Sequence, residues 1–375
     1  MSDTPVNKLN KLRQLGQSPW YDNIDRRLID SGELKSFFDM GIVGVTSNPT
    51  IFEKAINGSV VYDEKIKRLK KEGKSLEAIY DDLTADDVRD AADMLSGVYD
   101  RTEGLDGYVS IEVLPTYAHD PEKTLEYARY IHKKVGRKNI MIKVPGTPQA
   151  SSAIRALIAE GISVNVTLLF SVEQYEPAAL AYMDGLRDRL RLGLDLKSVS
   201  SVASVFISRI DTKVDNILDV LINREAGVGA VDKVASLRGK IAIANAKFIY
   251  RRFKELFDDR IFGELKAWGG RAQRPLWAST SSKNPAYSAC IYVDNLIGPL
   301  TVNTMPHQTV SAFAGHGRVA LTLESDLGRA EAYALQLSEL GVNLATICDE
   351  AQKEGILVFG RSFDTLMASL KAKVG

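Results

Sequence analysis

Along the chain, short runs of alternating or β-branched apolar residues recur between longer stretches with helical spacing. The runs are Trp20–Asp22, Ile42–Asn48, Tyr108–Val113, Ile140–Val144, Ile162–Leu168, Val202–Ile207, Leu276–Ser279 and Leu300–Asn303. Helical patterns occupy Ile24–Ser31, Ser75–Val98, Pro121–Val135, Ala150–Glu160, Val172–Leu192, Arg209–Ile222 and Val228–Phe257. Strands alternating with helices build βαβ units and a parallel sheet. Eight such strands predict a closed (β/α)8 TIM barrel of the α/β class. An open doubly wound sheet competes, but no G-x-G-x-x-G and no Walker lysine follows any of the strands.

The stretches Ile51–Gly107 and Thr212–Arg274 each hold more than one helix, so extra helices are expected after the second and sixth strands. No proline-rich or serine-rich linker divides the chain, and no solenoid repeat appears. Residues 1–375 therefore read as a single barrel domain with two appendages. One is an N-terminal extension over 1–17; the other is a C-terminal helical extension over 312–375, packed on the barrel, with helical patterns at Leu323–Leu340, Asn343–Lys353 and Phe363–Lys373.

Side chains alternate between the two faces of a strand, so in a barrel one set meets the helices and the other points inward. In Ile162–Leu168 the outward set is Ile162, Val164, Val166 and Leu168, and Ser163, Asn165 and Thr167 share the inner face. Tyr108, Ser110 and Glu112 oppose Val109, Ile111 and Val113, while Met141 and Lys143 oppose Ile140, Ile142 and Val144. The same parity aligns Asn48 with Thr46, and Ser204 with Val202 and Phe206. Half-solvated antiparallel strands show the same alternation, but the intervening helices disfavour hairpins. In a barrel, polar groups at the C-terminal strand ends are where chemistry sits.

Charge narrows the partners. The 48 Lys and Arg balance 48 Asp and Glu, which removes the basic footprint of a nucleic-acid binder. Two cysteines, Cys290 and Cys348, cannot build a disulfide framework, and four scattered histidines give a metal no seat. Residues Met1 to Gln17 lack an apolar signal core, and no stretch reaches the roughly 18 apolar residues of a membrane span. A cytoplasmic protein is expected, with no membrane or nucleic-acid partner and no metal or other cofactor.

Lys143 carries the most chemistry. A lysine among Ile140, Met141, Ile142 and Val144 lies on a strand buried on both faces, and burial favours the neutral amine that attacks a ketone carbonyl. A structural ion pair with Glu112, or a side chain that snorkels past the barrel rim, would also account for it. Schiff-base aldol chemistry further needs proton transfer, for which Asp22 and Glu112 supply carboxylates. Asn48, Asn165, Thr167 and Ser204 supply groups that position water and a polyol. After the seventh strand, Ser279–Lys283 is a hydroxyl-rich loop of the kind that holds phosphate in barrels, and Arg209, just past the sixth, offers a planar fork. A Ser/Thr-rich turn can equally be only a turn.

Four ordered motifs, Gly44–Phe52, Val109–Val113, Ile142–Thr147 and Asn165–Ser171, resemble the signatures of the transaldolase family, and the resemblance covers about Ser18 to Thr309. It implies a class I aldol mechanism on ketose phosphates in the non-oxidative pentose phosphate pathway. A dihydroxyacetone unit would pass from sedoheptulose 7-phosphate to glyceraldehyde 3-phosphate, giving erythrose 4-phosphate and fructose 6-phosphate. By motif match, Lys143 resembles the Schiff-base lysine, Glu112 and Asp22 the acid/base carboxylates, and Thr167 the residue that orients the catalytic water. Asn48, Asn165 and Ser204, with Phe206 beside them, resemble the contacts to the dihydroxyacetone unit. Arg209, Ser279 and Lys283 resemble the phosphate site. Asp25 lies close enough to contest the role of Asp22, and either Ser281 or Lys283 can take the basic position in the phosphate loop. The length is similar to that of the longer, single-function subgroup, for which a monomer or homodimer is expected.

Overall fold

The computed structural model describes residues 7–223 and 228–374, so part of the expected N-terminal extension and a short piece of the segment after the sixth strand lie outside the described residues. Eight parallel strands pair in chain order: β1 (Gln17–Tyr21), β2 (Val45–Thr46), β3 (Val109–Glu112), β4 (Ile140–Pro145), β5 (Val164–Leu169), β6 (Ser201–Phe206), β7 (Arg274–Ala278) and β8 (Thr301–Met305). β8 pairs back onto β1, which closes the predicted (β/α)8 barrel and leaves no open edge. The outward residues Val109, Ile111, Ile140, Ile142, Val144, Val164 and Val166 are all buried beneath the surrounding helices. Between β2 and β3 lie the helices Pro49–Asn57, Asp63–Lys71 and Leu76–Arg101. Between β6 and β7 lie Ser208–Ile222, Val228–Ala235, Ile241–Leu256 and Asp259–Ala267.

Several boundaries differ from the sequence reading, each for a local reason. β1 begins at Gln17, inside the stretch expected as an extension, because its polar residues are paired within the barrel floor. Gln17 Nε2 donates to the Leu296 carbonyl (2.6 Å) and to Thr301 Oγ1 (3.0 Å). Ser18 Oγ and Trp20 Nε1 donate to Asp106 (2.7 and 3.2 Å), which also receives the Arg274 guanidinium at 3.0 Å. β2 stops at Thr46 because Asn48 leaves the sheet to cap the next helix, accepting from the Ile51 amide at 2.9 Å. The helix expected over Val228–Phe257 is two helices, broken near Gly239, whose φ of +67° an L-residue rarely adopts. The last helix of the barrel proper, His307–His316, runs through the expected boundary at 312.

At the C-terminus, the two helices expected at Asn343–Lys353 and Phe363–Lys373 are one, Leu344–Val374. Between them, Gly355 is where the helix crosses the barrel mouth: an added Cβ would lie 2.8 Å from Leu168 Cδ2. Leu168 is no longer an outward residue either. Its φ is +58°, and the register with β6 shifts between Val166 and Leu169, so the side chain turns toward this helix.

Gly44 tests how tightly the barrel interior is packed, since a Cβ there would lie 2.4 Å from Trp20 Cε2 in a fully buried ring. Gly44→Ala is expected to cost about 1–3 kcal/mol through overpacking. The urea midpoint should fall at unchanged slope; an unchanged midpoint would show that the ring can move aside.

Candidate active site

Parallel register assembles the centre of the site. Glu112 of β3 is the pairing partner of Lys143 of β4, and Lys143 is the partner of Asn165 of β5, so three inner-face side chains stand in one row. Lys143 Nζ donates to Glu112 Oε2 at 3.1 Å and to the Ser47 carbonyl at 3.0 Å, and both side chains are 4% exposed. Asn165 is held from both sides: its Nδ2 donates to Ser110 Oγ (3.1 Å), and its Oδ1 accepts from Ser204 Oγ (2.7 Å). Thr167 Oγ1 is buried and has no hydrogen-bond partner among the described residues. Burial pushes the Glu112 carboxyl above its ordinary range; the Lys143 ammonium pulls it back, and the Asp22 charge pushes it further up.

Asp22 lies just beyond β1, on the same side as Trp20 by alternation. Thr46 Oγ1 donates to its Oδ1 at 2.7 Å and is itself 2.6 Å from Thr304 Oγ1, so residues from β2 and β8 aim the carboxylate. Burial raises its pKa, against the pull of Lys143, Thr46, Lys283 and Arg209 in that order. Asp25 is occupied elsewhere: it caps the helix Arg26–Asp30, accepts from the Arg27 amide at 2.8 Å and pairs with the Arg27 guanidinium.

A cavity of about 370 Å³ opens above this row at the C-terminal ends of the strands. Asp22, Asn48, Lys143, Ser204, Phe206, Arg209, Ser279, Ser281 and Lys283 line it, whereas Glu112, Asn165 and Thr167 do not. Glu112 and Asn165 reach it through their bonds to Lys143 and Ser204. Arg209 makes no ion pair among the described residues, and Lys283 Nζ donates only to Ser281 Oγ (2.8 Å), so both candidates for the loop's basic position sit together. Burial lowers the pKa of Arg209, while partial burial and then the Arg209 charge lower that of Lys283. Ser279, at φ +55°, is strained backbone, and its Oγ lies 2.9 Å from Ser208 Oγ.

Other lining residues escaped the sequence reading, notably Lys54, Thr304 and, from the C-terminal helix, Val358 and Phe359. Lys54 follows Asn48 by less than two helical turns and was detectable only once Asn48 was known to start a helix. Phe359 lies far beyond the last motif, and nothing in its neighbourhood marks it. Among the described residues, no three His, Cys, Asp or Glu side chains gather as metal ligands, and no helix is long and apolar enough to cross a membrane.

A closed parallel barrel with a lysine–glutamate pair on its inner face and unpaired cations at the C-terminal strand ends has the form of a (β/α)8 barrel enzyme. The transaldolase/fructose-6-phosphate aldolase family profile matches residues 19–370. Curated relatives named transaldolase include one from Trichodesmium erythraeum, 45% identical over 98% of both chains, and one from Mycolicibacterium smegmatis, 39% identical over 98% of this chain and 97% of that one. A protein named transaldolase 2 from a Nostoc species is 46% identical, again over 98% of each. The chain belongs to the transaldolase/fructose-6-phosphate aldolase family and is an enzyme of that family.

The raised pKa of Asp22 fixes the sign of a stability effect. The folded protein holds this proton more tightly than the unfolded chain, so stability falls as pH rises from the ordinary carboxyl range through the raised value, and the loss persists above it. Asp22→Asn carries no such penalty. Its melting temperature should exceed the parent's at pH 8, with the gap closing as pH falls toward about 4. A gap independent of pH, or a less stable variant at pH 8, contradicts the assignment of that charge penalty to Asp22.

Proposed function

We propose that the protein is a transaldolase that moves a dihydroxyacetone unit from sedoheptulose 7-phosphate to glyceraldehyde 3-phosphate. Erythrose 4-phosphate and fructose 6-phosphate are the products, as in the non-oxidative pentose phosphate pathway. The observation that carries this reading is the row Glu112–Lys143–Asn165 beneath a cavity whose far side holds Arg209 and Lys283. The Lys143 amine adds to the ketone carbon, and the carbinolamine loses water to give an iminium that draws electrons from the C3–C4 bond. Asp22 takes the C4 hydroxyl proton as that bond breaks and the aldehyde departs. The enamine left on Lys143 then attacks the acceptor aldehyde, and hydrolysis frees the product.

Glu112 supports this sequence as the proton relay for water loss and return, with the unpartnered Thr167 hydroxyl beside β4 suited to hold the water. Asn48, Asn165 and Ser204 suit the hydroxyls of the dihydroxyacetone unit, and Phe206 forms an apolar wall. The phosphate falls to Arg209, Ser279 and Lys283, with Ser281 orienting Lys283. The imine is its own electron sink, so the proposal needs no metal or other cofactor. We read the protein as cytoplasmic and as a monomer or homodimer, in keeping with two free, buried cysteines. Release of free dihydroxyacetone, an aldolase activity that the family description includes, differs only in the fate of the enamine. Product analysis with and without acceptor separates the two.

Borohydride reduction in the presence of fructose 6-phosphate should add the three-carbon unit to the Ile140–Pro145 strand at Lys143, and Lys143→Arg should abolish turnover because a guanidinium stays protonated. Label on another lysine, or none, rejects the mechanism. Loss of a general acid/base costs roughly 10²–10⁴-fold in rate, but the two carboxylates should fail at different steps. Asp22→Ala should form a donor imine that accumulates uncleaved; Glu112→Ala should slow imine formation itself. The reverse pattern exchanges their roles.

A further inference from the structure

Phe359 belongs to the C-terminal helix, remote in sequence from every strand, yet it is 3% exposed and lines the cavity. Its ring centroid lies 5.9 Å from Lys143 Nζ and 5.8 Å from Arg209 Cζ. From β6, the Phe206 ring approaches the same guanidinium at 5.0 Å. Arg209 thus contacts two aromatic rings, while no hydrogen-bond acceptor among the described residues fixes its fork.

The helix that carries Phe359 is tied to the barrel on both sides of that residue. Gln352 Nε2 donates to the Gly146 and Leu168 carbonyls (3.1 and 2.9 Å), and Ser362 Oγ lies 2.8 Å from Thr50 Oγ1. Between these ties, Gly355 lets the backbone close on the site: a Cβ there would sit 2.8 Å from Leu168 Cδ2 and 3.3 Å from Arg209 Nη1. The ring of Phe359 is therefore held by backbone and polar anchors that do not depend on substrate.

We propose that Phe359 is a positioning residue that sets preference for phosphorylated substrates, by fixing the Arg209 fork at a set distance from the Lys143 amine. An arginine on a flexible stem loses rotamer freedom when it grips a phosphate. Held against two rings, the guanidinium has already lost much of that freedom, and the ring faces still allow the fork to turn its N–H edge toward an anion. This inference rests on the reading of Lys143 as the imine lysine and Arg209 as a phosphate ligand.

The test compares Phe359→Ala, Phe359→Leu and Phe359→Tyr on fructose 6-phosphate and on unphosphorylated fructose. Phe359→Ala and Phe359→Leu should raise KM for the phosphorylated donor about tenfold while changing its kcat, and kcat/KM for fructose, by less than about threefold. Phe359→Tyr, which keeps the ring, should restore the parent KM. In an Arg209→Ala background, Phe359→Ala should add almost nothing, because the group it positions is gone. Equal losses on both donors, or losses that add fully to those of Arg209→Ala, overturn the proposal and reduce Phe359 to cavity packing. Borohydride trapping on the parent is run alongside. If Lys143 is trapped and the Phe359 pattern is absent, this inference alone fails; if the parent forms no imine, the reading beneath it fails first.

Discussion

The pairing of Glu112 with Lys143 across β3 and β4 is the constraint around which the barrel interior is arranged. Two charges removed from water lose hydration that their mutual attraction rarely restores in full, so the pair is a poor way to stabilise a core. It persists because everything around it is fixed. The register leaves each side chain no other inner-face position, the Ser47 carbonyl accepts a second hydrogen bond from the ammonium, and the Ser110–Asn165–Ser204 chain satisfies the neighbouring row. Removing one partner would leave the other charge buried and unanswered, so any substitution here acts on stability and chemistry together.

The barrel divides its polar interior between two ends. At the floor, Ser18, Trp20, Asp106 and Arg274 form a closed network in which the Asp106 and Arg274 charges are answered by each other, although Gln17 Oε1 and Gln273 Oε1 beside it have no hydrogen-bond partner among the described residues. At the mouth, among the described residues, Arg209 has no carboxylate partner and Thr167 Oγ1 has no hydrogen-bond partner, and Ser279 keeps a strained φ. Satisfied polar groups hold a fold, whereas unsatisfied ones at the strand ends are what a ligand can complete. The C-terminal helix makes this arrangement possible by covering the mouth, which keeps the groups partly out of water without pairing them off.

How much of this was legible in the sequence follows from how local each feature is. Strict alternation in β3, β4 and β5 announced both the barrel and its inner row, because period-two patterning depends only on neighbouring residues. β1 and β2 were blurred, since Gln17 and Ser18 look like loop residues until their partners at Leu296, Thr301 and Asp106 are known. Asp25 lay close enough in sequence to contest the role given to Asp22, and the helix cap at Asp25 shows what that residue does instead. Phe359 and the turning of Leu168 toward Gly355 stayed invisible, because they arise where the end of the chain meets its middle.

Charge at the mouth closes the argument. With Lys143 answered by Glu112, the remaining lining charges are Lys54, Arg209 and Lys283 against Asp22, three cations facing one carboxylate. The difference of two matches the phosphate dianion of the proposed substrate, and the Arg209 charge, which after burial is the next cause that lowers the pKa of Lys283, is answered when such a group sits between them. Asp22 is held by Thr46 on the β1 side, Arg209 and Lys283 follow β6 and β7, and Lys54 lies on the helix after β2. A chain carrying as many acids as bases thereby keeps a local excess of positive charge at the barrel mouth, which on the proposed reading draws the phosphate end of the substrate toward Arg209.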